Sequence, residues 1–158
     1  IFDPAGDVFT QDTAKELASC EQLILICGHY EGFDARIYDL ADRLISVGDF
    51  VLTGGEIPAM LVVDATARML PGVLGDAESA PTDSFFDGLL GYPQYTRPRE
   101  FEGRAVPEVL LSGNHAEISR WRREQSILAT LRHRPELLAR AELSKEDLDF
   151  LARQREIE

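Results

Sequence analysis

The distribution of apolar residues predicts strands in the first third of the chain. The run LILIC at residues 23–27 is continuously apolar and ends at Gly28, a pattern typical of a parallel strand that is buried on both faces. Residues 43–48 and 50–53 are also predicted to be extended. These are only about three strand segments, which is few for a complete sheet, so we expect the intact protein to have a further N-terminal part.

Helical spacing of apolar residues alternates with these strands. Residues 9–19 are predicted to form a helix with Thr10 or Thr13 as its N-cap. A second helix is predicted over residues 56–70, and because it is apolar on most faces we expect it to be buried. Strands that alternate with helices up to residue 72 predict an α/β fold with a parallel sheet.

The periodic pattern stops at residues 73–107, which are rich in Gly, Pro, Ser, Asp and Tyr. A segment of this composition and length is predicted to be a long loop or an interdomain linker. Helical spacing returns in residues 108–158, which are predicted to form a small all-helical domain. Residues 1–72 are then the α/β part of the chain.

Two features define the predicted C-terminal helices. Asparagine and neighbouring polar residues in the segment SGNH, at residues 112–115, are predicted to cap the first of them. Ser144 is predicted to open the last helix, with Asp147 completing a variant of the capping box. One face of the longer helix is predicted to carry Ile118, Trp121, Gln125, Leu128 and Leu131.

Charge is distributed unevenly along the chain. A formal net charge of −12 argues by itself against a nucleic-acid partner. Residues 97–134, however, carry eight arginines and five glutamates and no lysine. Because the arginine fork matches phosphate geometry, this segment is a candidate RNA-binding surface. A solvated helix face with i,i+4 ion pairs is the alternative.

Composition excludes several other classes of protein. Hydrophobic residues make up 44% of the chain, which supports a folded core. No apolar run approaches the roughly 20 residues of a membrane span. The two cysteines, Cys20 and Cys27, match no metal-ligand spacing and the histidines are scattered, so no zinc site is predicted. The sequence has no G-x-S-x-G motif of a serine hydrolase.

Glycine-rich corners follow the predicted strands, at residues 28–32 and at Gly48 with Gly54 and Gly55. Ligands of open α/β sheets bind at the carboxyl ends of the strands, where glycines let the ligand lie against bare backbone. These corners carry no basic residue, which favours a ligand recognised through backbone groups, such as an adenine or a ribose. Glycines that serve only as turns are the alternative.

Two groups of charged residues near these corners have two interpretations each. Glu31 and Asp34, with Arg36 nearby, could bind hydroxyl groups or a cation, or could form an ion-pair set within the loop. Asp64 and Arg68 stand four residues apart on the predicted second helix. That spacing is typical of a structural salt bridge, but Arg68 could instead face a ligand.

Five longer segments carry a more specific signal. They are LILICGHYEGFDARI, ISVGDFVLTGGEIPAM, PGVLGDAESAPTDSF, YPQYTRP and VPEVLLSGNHAEISRWRREQS. In this order they resemble the bacterial tRNA (guanine-N1)-methyltransferases of the TrmD family, from residue 1 to about residue 140. The resemblance implies the trefoil-knotted α/β methyltransferase domain of the SPOUT class, an exception to the rule against knots, followed by a helical domain that binds tRNA.

The resemblance also implies the reaction and the partners. The expected product is 1-methylguanosine at tRNA position 37, on the 3′ side of the anticodon, where the methyl group supports maintenance of the reading frame. S-adenosylmethionine is the implied methyl donor, and the family further suggests a Mg²⁺ ion, although no residue of this sequence is assigned to a metal. A cytoplasmic homodimer without a membrane anchor is implied as well.

The family's functional residues can be carried over position by position. Its general base falls on Asp83 and its substrate-side arginine on Arg68. The implied RNA contacts are Arg97, Arg120, Arg122 and Arg123. The implied cofactor contacts are Ile1, Phe2, Asp3, Pro4, Gly28, Tyr30, Glu31, Ser46, Val47, Gly48, Phe50, Leu52, Gly54, Gly55 and Pro58.

These residue types suit the chemistry. Guanine N1 carries a proton at neutral pH, and a carboxylate such as that of Asp83 can accept it as the methyl group is transferred. Negative charge then develops toward O6, where the guanidinium of Arg68 can stabilise it. In a dimer, Asp83 is expected to serve the partner's site, and the target base must leave the anticodon stack.

Two alternative functions remain open at this point. The family's upstream part, with a first strand and a glycine-rich loop, has no counterpart in these residues. The chain could therefore be a catalytically incomplete fragment that only binds tRNA or dimerises. A related knotted methyltransferase with another RNA target is a weaker alternative, and the loop around Asp83 argues against it.

Overall fold

A computed structural model of the chain describes residues 1–75 and 83–155. By its internal contacts the chain separates into two units, Ile1–Ala80 and Pro81–Glu158. Residues 76–82, which are the DAESAPT portion of the segment PGVLGDAESAPTDSF and part of the predicted linker, lie outside the described residues. The rest of the predicted linker, from residue 83 onward, belongs to the second unit together with the C-terminal helices.

A small parallel sheet organises the first unit. Strand β1 (Phe2–Val8) pairs with strand β2 (Ile45–Ser46), and the register shifts within β1. At Gly6 the two backbones approach so closely that a Cβ atom would lie 2.5 Å from the amide nitrogen of Ile45, so only glycine fits there. The predicted α/β class with a parallel sheet is confirmed.

The apolar run at residues 23–27 is not a strand, contrary to the prediction. Its backbone joins no ladder, and the side chain of Ile24 is 76% exposed. The nearest pairing is an isolated antiparallel bridge between His29 and Gly54. A continuously apolar strand needs a hydrogen-bonded neighbour and a covering layer on each face, and the described residues supply neither at this position.

Two helices pack against each other beside the sheet. Helix α1 (Gln11–Ala18) begins at Thr10, whose hydroxyl accepts a hydrogen bond from the amide of Thr13 at 3.4 Å, so the predicted cap is confirmed. Helix α2 (Glu56–Ala67) starts directly after Gly55. A 3₁₀ helix, Ala35–Leu40, connects the loop after residue 28 to β2.

The prediction that α2 is buried is wrong for most of its surface. Val62 is fully buried and Thr66 is 6% exposed, but Ile57 is 63% exposed and Met60 71% exposed. The described residues cover one face of the helix only, through α1 and the loops around it. An apolar face therefore remains accessible to a partner.

Helices dominate the second unit. A short antiparallel hairpin, with β3 at Glu100–Phe101 and β4 at Arg104–Ala105, precedes a 3₁₀ helix at Glu108–Leu111. Helix α3 (His115–His133), a 3₁₀ helix (Pro135–Ala139) and helix α4 (Lys145–Arg155) follow. The core of the second unit is formed by Leu89, Ile127 and Leu151.

Both predicted helix caps of this unit are confirmed. The side chain of Asn114 accepts a hydrogen bond from the amide of Glu117 at 3.4 Å, which caps α3. At the start of α4 the amide of Ser144 donates to the Asp147 carboxylate at 2.9 Å, and the amide of Asp147 donates to the Ser144 hydroxyl at 3.2 Å. This reciprocal pair is the capping box in its aspartate form.

The buried face of α3 differs from the predicted one. Ser126, Ile127 and Thr130 are buried, whereas Ile118 and Trp121 are only half-buried. The segment before the hairpin selects this face, because the amide of Leu90 donates to the Thr130 hydroxyl at 2.9 Å. Helical periodicity alone could not reveal that a segment predicted to be a linker would cover the helix.

Candidate functional site

Three segments of the first unit meet around one cavity of about 260 Å³. They are residues 2–4 of β1, residues 28–33 after the apolar run, and residues 45–55 between β2 and α2. We call this the glycine-lined cavity, and its volume lies near the lower end of the range for small-molecule sites.

The second and third loops are held together by backbone contacts. The amide of Gly55 donates to the carbonyl of Gly28 at 3.1 Å, next to the bridge between His29 and Gly54. A Cβ atom on Gly55 would lie 2.7 Å from the Cα atom of Cys27, so any larger residue would force the two loops apart. The sequence therefore requires glycine at this junction for the loops to meet.

Gly48 shapes the turn that follows β2. Its φ angle of +138° is one that residues with a Cβ atom rarely adopt. Its amide donates to the Ser46 hydroxyl at 3.2 Å, and Ser46 itself is buried. The turn thus places Gly48, which has no side chain, at the cavity.

A hydrogen-bonded carboxylate, that of Asp3, also lines the cavity. The hydroxyl of Tyr38 donates to Asp3 at 2.6 Å and the amide of Ala5 donates to the same carboxylate at 2.8 Å. The bond from Tyr38, helped by that from Ala5, lowers the pKa of Asp3, and the same bond raises the pKa of Tyr38. Asp3 therefore faces the cavity as an anion.

Neither arginine nor lysine is found among the described residues that line the cavity, whereas Asp3 and Glu31 are. Its charge therefore complements a neutral or cationic ligand and disfavours a phosphate. Asp34 is not among the described residues that line the cavity. Its carboxylate is bound by Arg36, at 2.5 and 2.9 Å, and this lowers the pKa of Asp34 to about 2. For Asp34 the ion-pair interpretation holds.

Fourteen of the fifteen residues predicted to contact a cofactor line this one cavity. The exception is Ile1, which is buried and whose carbonyl accepts a hydrogen bond from the amide of Ile45 at 2.9 Å. The role of all fifteen residues as cofactor contacts stays a prediction. The fourteen are Phe2, Asp3, Pro4, Gly28, Tyr30, Glu31, Ser46, Val47, Gly48, Phe50, Leu52, Gly54, Gly55 and Pro58.

Several lining residues escaped the sequence analysis. Tyr38 and Phe33 come from the 3₁₀ helix and the turn before it, and only the fold brings them to the cavity. His29 lies between two predicted contacts, and its Nε2 atom is 2.5 Å from Oε1 of Glu56. The position of His29 directly after Gly28 is a sequence signal that indicates a place in the cavity lining, whereas the prediction above treats the histidines only as candidate zinc ligands.

The two predicted catalytic residues lie outside the glycine-lined cavity. Arg68 directly follows α2, so it is roughly 20 Å from Gly55 along the helix axis at 1.5 Å per residue. Asp83 belongs to the second unit, where it lines a cavity of about 220 Å³ together with Tyr92, Arg122 and other residues. Both assignments stay predictions.

The four predicted RNA-contacting arginines have different surroundings. Arg123 donates to Asp147 at 3.0 Å, to the carbonyl of Glu142 at 2.8 Å, and to Asp87. Burial alone would raise the pKa of Asp147, but the bonds from Arg123 and from the Ser144 amide outweigh it and the pKa is lowered. Arg123 thus holds α3, α4 and the segment before the hairpin together.

The other three are more exposed. Arg120 pairs with Glu124 one turn along α3, at 3.0 Å, as in the predicted i,i+4 alternative. The guanidinium of Arg122 lies 4.9 Å from the centre of the Tyr92 ring. Arg97 lines a further cavity of the second unit.

Two kinds of feature are not seen in the part of the chain that the structure describes. Over residues 1–75 and 83–155, no three His, Cys, Asp or Glu side chains gather into a group that could hold a metal ion. Nor does any helix in these ranges have the length and apolar character needed to cross a membrane.

The sequence of the chain also matches a known protein family. The family model for tRNA (Guanine-1)-methyltransferase TrmD matches residues 1–140. The chain therefore belongs to the TrmD family of tRNA (guanine-1)-methyltransferases, as the sequence motifs predicted.

Individual relatives agree with the family match. The chain is 56% identical over its whole length to the tRNA (guanine-N(1)-)-methyltransferase of Lactobacillus delbrueckii subsp. bulgaricus, and it covers 64% of that protein. It is 61% identical over 96% of its length to the corresponding protein of Moorella thermoacetica, of which it covers 61%. The chain thus spans somewhat less than two thirds of the length of these curated relatives.

Proposed function

We propose that this chain is the part of a tRNA (guanine-N1)-methyltransferase that binds S-adenosylmethionine and directs its methyl group to N1 of the guanosine on the 3′ side of the anticodon. One observation carries the proposal. Fourteen of the fifteen residues that the family motifs assign to the cofactor come from separate segments of the first unit and line a single cavity.

The cavity fits the proposed cofactor in its chemistry. S-adenosylmethionine has no phosphate and, when bound, supplies an electrophilic methyl group on a positively charged sulfur. The glycines at the cavity would let an adenosine lie against backbone, and the carboxylates of Asp3 and Glu31 complement a positive charge. Phe50 and Leu52 would exclude water from the apolar side.

Asp83 is proposed as the general base that accepts the proton from guanine N1. It is exposed and lines a cavity together with Asp87, Arg122 and Arg123, of which Arg123 is paired with Asp87. The guanidinium of Arg122 would stabilise a guanine that is losing its proton. Arg68 is proposed to stabilise the charge that develops on O6, because a guanidinium can hydrogen-bond to an oxyanion.

A homodimer is part of the proposal. Within one chain Arg68 lies roughly 20 Å along α2 from the glycine-lined cavity, and the exposed apolar face of α2 includes Ile57, Met60 and Val63. A second copy that packs on this face could bring its own Arg68 and Asp83 to the cavity. The trefoil knot and the cytoplasmic location implied by the family belong to the same proposal.

The tRNA is proposed to lie against the second unit, through Arg97, Arg120 and Arg122, with Arg123 in a mainly structural position. The Mg²⁺ ion that the family suggests usually keeps several waters and binds one or two carboxylates. It therefore needs no cage built by the protein, and none of the steps above is assigned to it.

Ligand binding by the 158-residue chain tests the cofactor part of the proposal. S-adenosylhomocysteine at 100 times its Kd should stabilise the chain by about 2.7 kcal/mol and raise its Tm. Gly48→Val should remove this shift, because valine cannot adopt the φ angle of +138°. If the chain binds tRNA but its melting temperature is unmoved by S-adenosylhomocysteine, the binding-module alternative is correct.

A further inference from the structure

The second unit has a cavity of its own, of about 420 Å³, between the segment before the hairpin and the start of α3. We call it the tyrosine–arginine cavity. Aromatic, apolar and cationic side chains line it together, and no carboxylate is among the described residues that do so. Its lining consists of Tyr92, Pro93, Gln94, Tyr95, Thr96, Arg97, Arg99, Val106, Leu110, Leu111, Ile118 and Arg122.

The aromatic rings in and beside this cavity are held in place by neighbours. The Arg122 guanidinium lies 4.9 Å from the centre of the Tyr92 ring, within the range of a cation–π contact. The ring of Tyr95 meets that of Trp121 with centroids 6.3 Å apart and planes inclined by 52°. Tyr95 is nevertheless 45% exposed, so a large part of its surface remains available to a ligand.

Cationic and apolar groups are arranged around these rings. Arg97 and Arg99 are exposed, and Arg99 is 3.3 Å from the Glu108 carboxylate. Leu110 and Ile118 supply apolar lining. A planar, weakly polar group that carries a nearby anion would match this combination of ring faces, apolar wall and guanidinium donors.

A nucleotide in single-stranded RNA has this chemistry. Base stacking on an aromatic side chain tolerates any sequence because every base has a π-face, and arginine adds phosphate binding. A base within a duplex, by contrast, has both faces already stacked and cannot enter a cavity of this kind.

We propose that the tyrosine–arginine cavity binds one unstacked nucleotide of the RNA substrate, with its base on Tyr95 and its phosphate on Arg97 and Arg122. The choice of RNA as the partner rests on the function proposed above. The cavity would hold a nucleotide other than the one that is methylated, so it provides a second, non-reacting contact that fixes the RNA on the enzyme.

Titration of the 158-residue chain with a fluorescein-labelled single-stranded RNA octamer of mixed sequence tests this proposal, with the same octamer in a duplex for comparison. Trp121 is the only tryptophan of the chain and contacts Tyr95, so its emission should change when a base stacks on Tyr95. Loss of one stacked base should weaken binding by about 5- to 150-fold.

Matched variants separate stacking from charge. Tyr95→Ala should weaken binding of the single strand by that factor, whereas Tyr95→Phe, which keeps the ring, should remain within about twofold. Arg97→Gln should reduce the slope of log K against log salt by about 0.7. Arg132→Gln removes the same charge from an exposed position on α3 outside the cavity and should change the slope less.

The outcomes distinguish this proposal from the proposed function. If Tyr95→Ala and Arg97→Gln both bind the octamer as wild type does, the nucleotide site does not exist, even where S-adenosylhomocysteine still binds the same preparation. Equal affinity for duplex and single strand would also overturn it. If the octamer binds through Tyr95 while S-adenosylhomocysteine does not bind, the nucleotide site stands and the cofactor assignment fails.

Discussion

In the first unit the glycine-lined cavity forms where glycine-rich loops meet, whereas in the second unit the tyrosine–arginine cavity has aromatic and guanidinium side chains and no glycine among its described lining. The first needs glycine where two loops touch, as at Gly55, and tolerates variety elsewhere. The second depends on rings and guanidinium groups such as Tyr95 and Arg97. This difference fits the functions proposed above, in which the first unit binds the methyl donor and the second contacts the RNA and supplies the general base.

The largest expected effect tests whether chemistry and cofactor binding are separable in this way. In the full-length protein, Asp83→Asn should lower the rate of methyl transfer by about 10²- to 10⁴-fold, because the amide cannot accept the N1 proton. The Kd for S-adenosylhomocysteine should change by less than twofold. Transfer of labelled methyl from S-adenosylmethionine to tRNA measures the rate.

Asp39→Asn provides the control, since it removes one exposed carboxylate from the 3₁₀ helix of the first unit and should leave the rate unchanged. A rate near that of the wild type in Asp83→Asn would show that another group removes the proton. A large loss of cofactor affinity in the same variant would contradict the division between the units.

The next largest effect concerns the glycine-lined cavity. Gly55→Ala places a methyl group 2.7 Å from the Cα atom of Cys27, which should cost about 1–3 kcal/mol of folding free energy in the first unit and move the two loops apart. Binding of S-adenosylhomocysteine should weaken at least tenfold in calorimetric titration. Gly75→Ala is the matched control because, among the described residues, no atom lies within 4 Å of a Cβ atom there.

A smaller effect is expected for the ion-pair network of the second unit. Asp147→Asn removes an acceptor shared by Arg123 and the Ser144 amide and should lower the free energy of unfolding by about 2–3 kcal/mol. Chemical denaturation followed by Trp121 fluorescence reports on this unit. Asp149→Asn, on the same helix, should have little effect, and equal losses for both variants would contradict the role of the network.

The difference in the free energy of unfolding between wild type and Asp147→Asn should change with pH in a definite direction. The folded pKa of Asp147 is lowered, so its contribution is complete above the unfolded value of about 3.9 and is lost as the pH falls through the lower folded value. The gap between wild type and Asp147→Asn should therefore be constant from pH 7 to about pH 5 and should narrow below about pH 4.

The smallest expected effect concerns the wall of the glycine-lined cavity. Tyr38→Phe removes the hydrogen bond that holds the pKa of Asp3 low, so this pKa should rise toward its ordinary value. NMR titration of the Asp3 carboxyl group in the two proteins measures the shift. An unchanged pKa would mean that the Ala5 amide, which also donates to Asp3, is sufficient by itself.

Local features of the fold were predictable from particular residues. The caps at Thr10, Asn114 and Ser144 follow from side chains that satisfy the first amides of a helix, and these depend on neighbours only three residues away. Features that depend on covering layers were not predictable. The run at residues 23–27 has the composition of a buried strand, yet the described residues provide no partner strand for it.

The candidate site shows the same contrast between features that the sequence predicts and features that only the fold reveals. Family motifs identified the glycine corners, because a backbone that must approach a ligand or another loop leaves glycine in the sequence. They did not identify Tyr38, which reaches β1 from a distant 3₁₀ helix. Nor did they reveal that Arg123 is occupied by Asp147 and Asp87, because an arginine in a basic segment looks the same whether it pairs within the protein or faces RNA.

The sequence by itself determined the family, the α/β class, the helix caps and the loops that form the glycine-lined cavity. These depend on short-range geometry or on motifs that retain the required residue types. The tertiary structure decided which face of α3 is buried, which face of α2 remains open, and which arginines are left to bind a partner. Such properties depend on what packs against a residue, and that packing is set by segments far away in the chain.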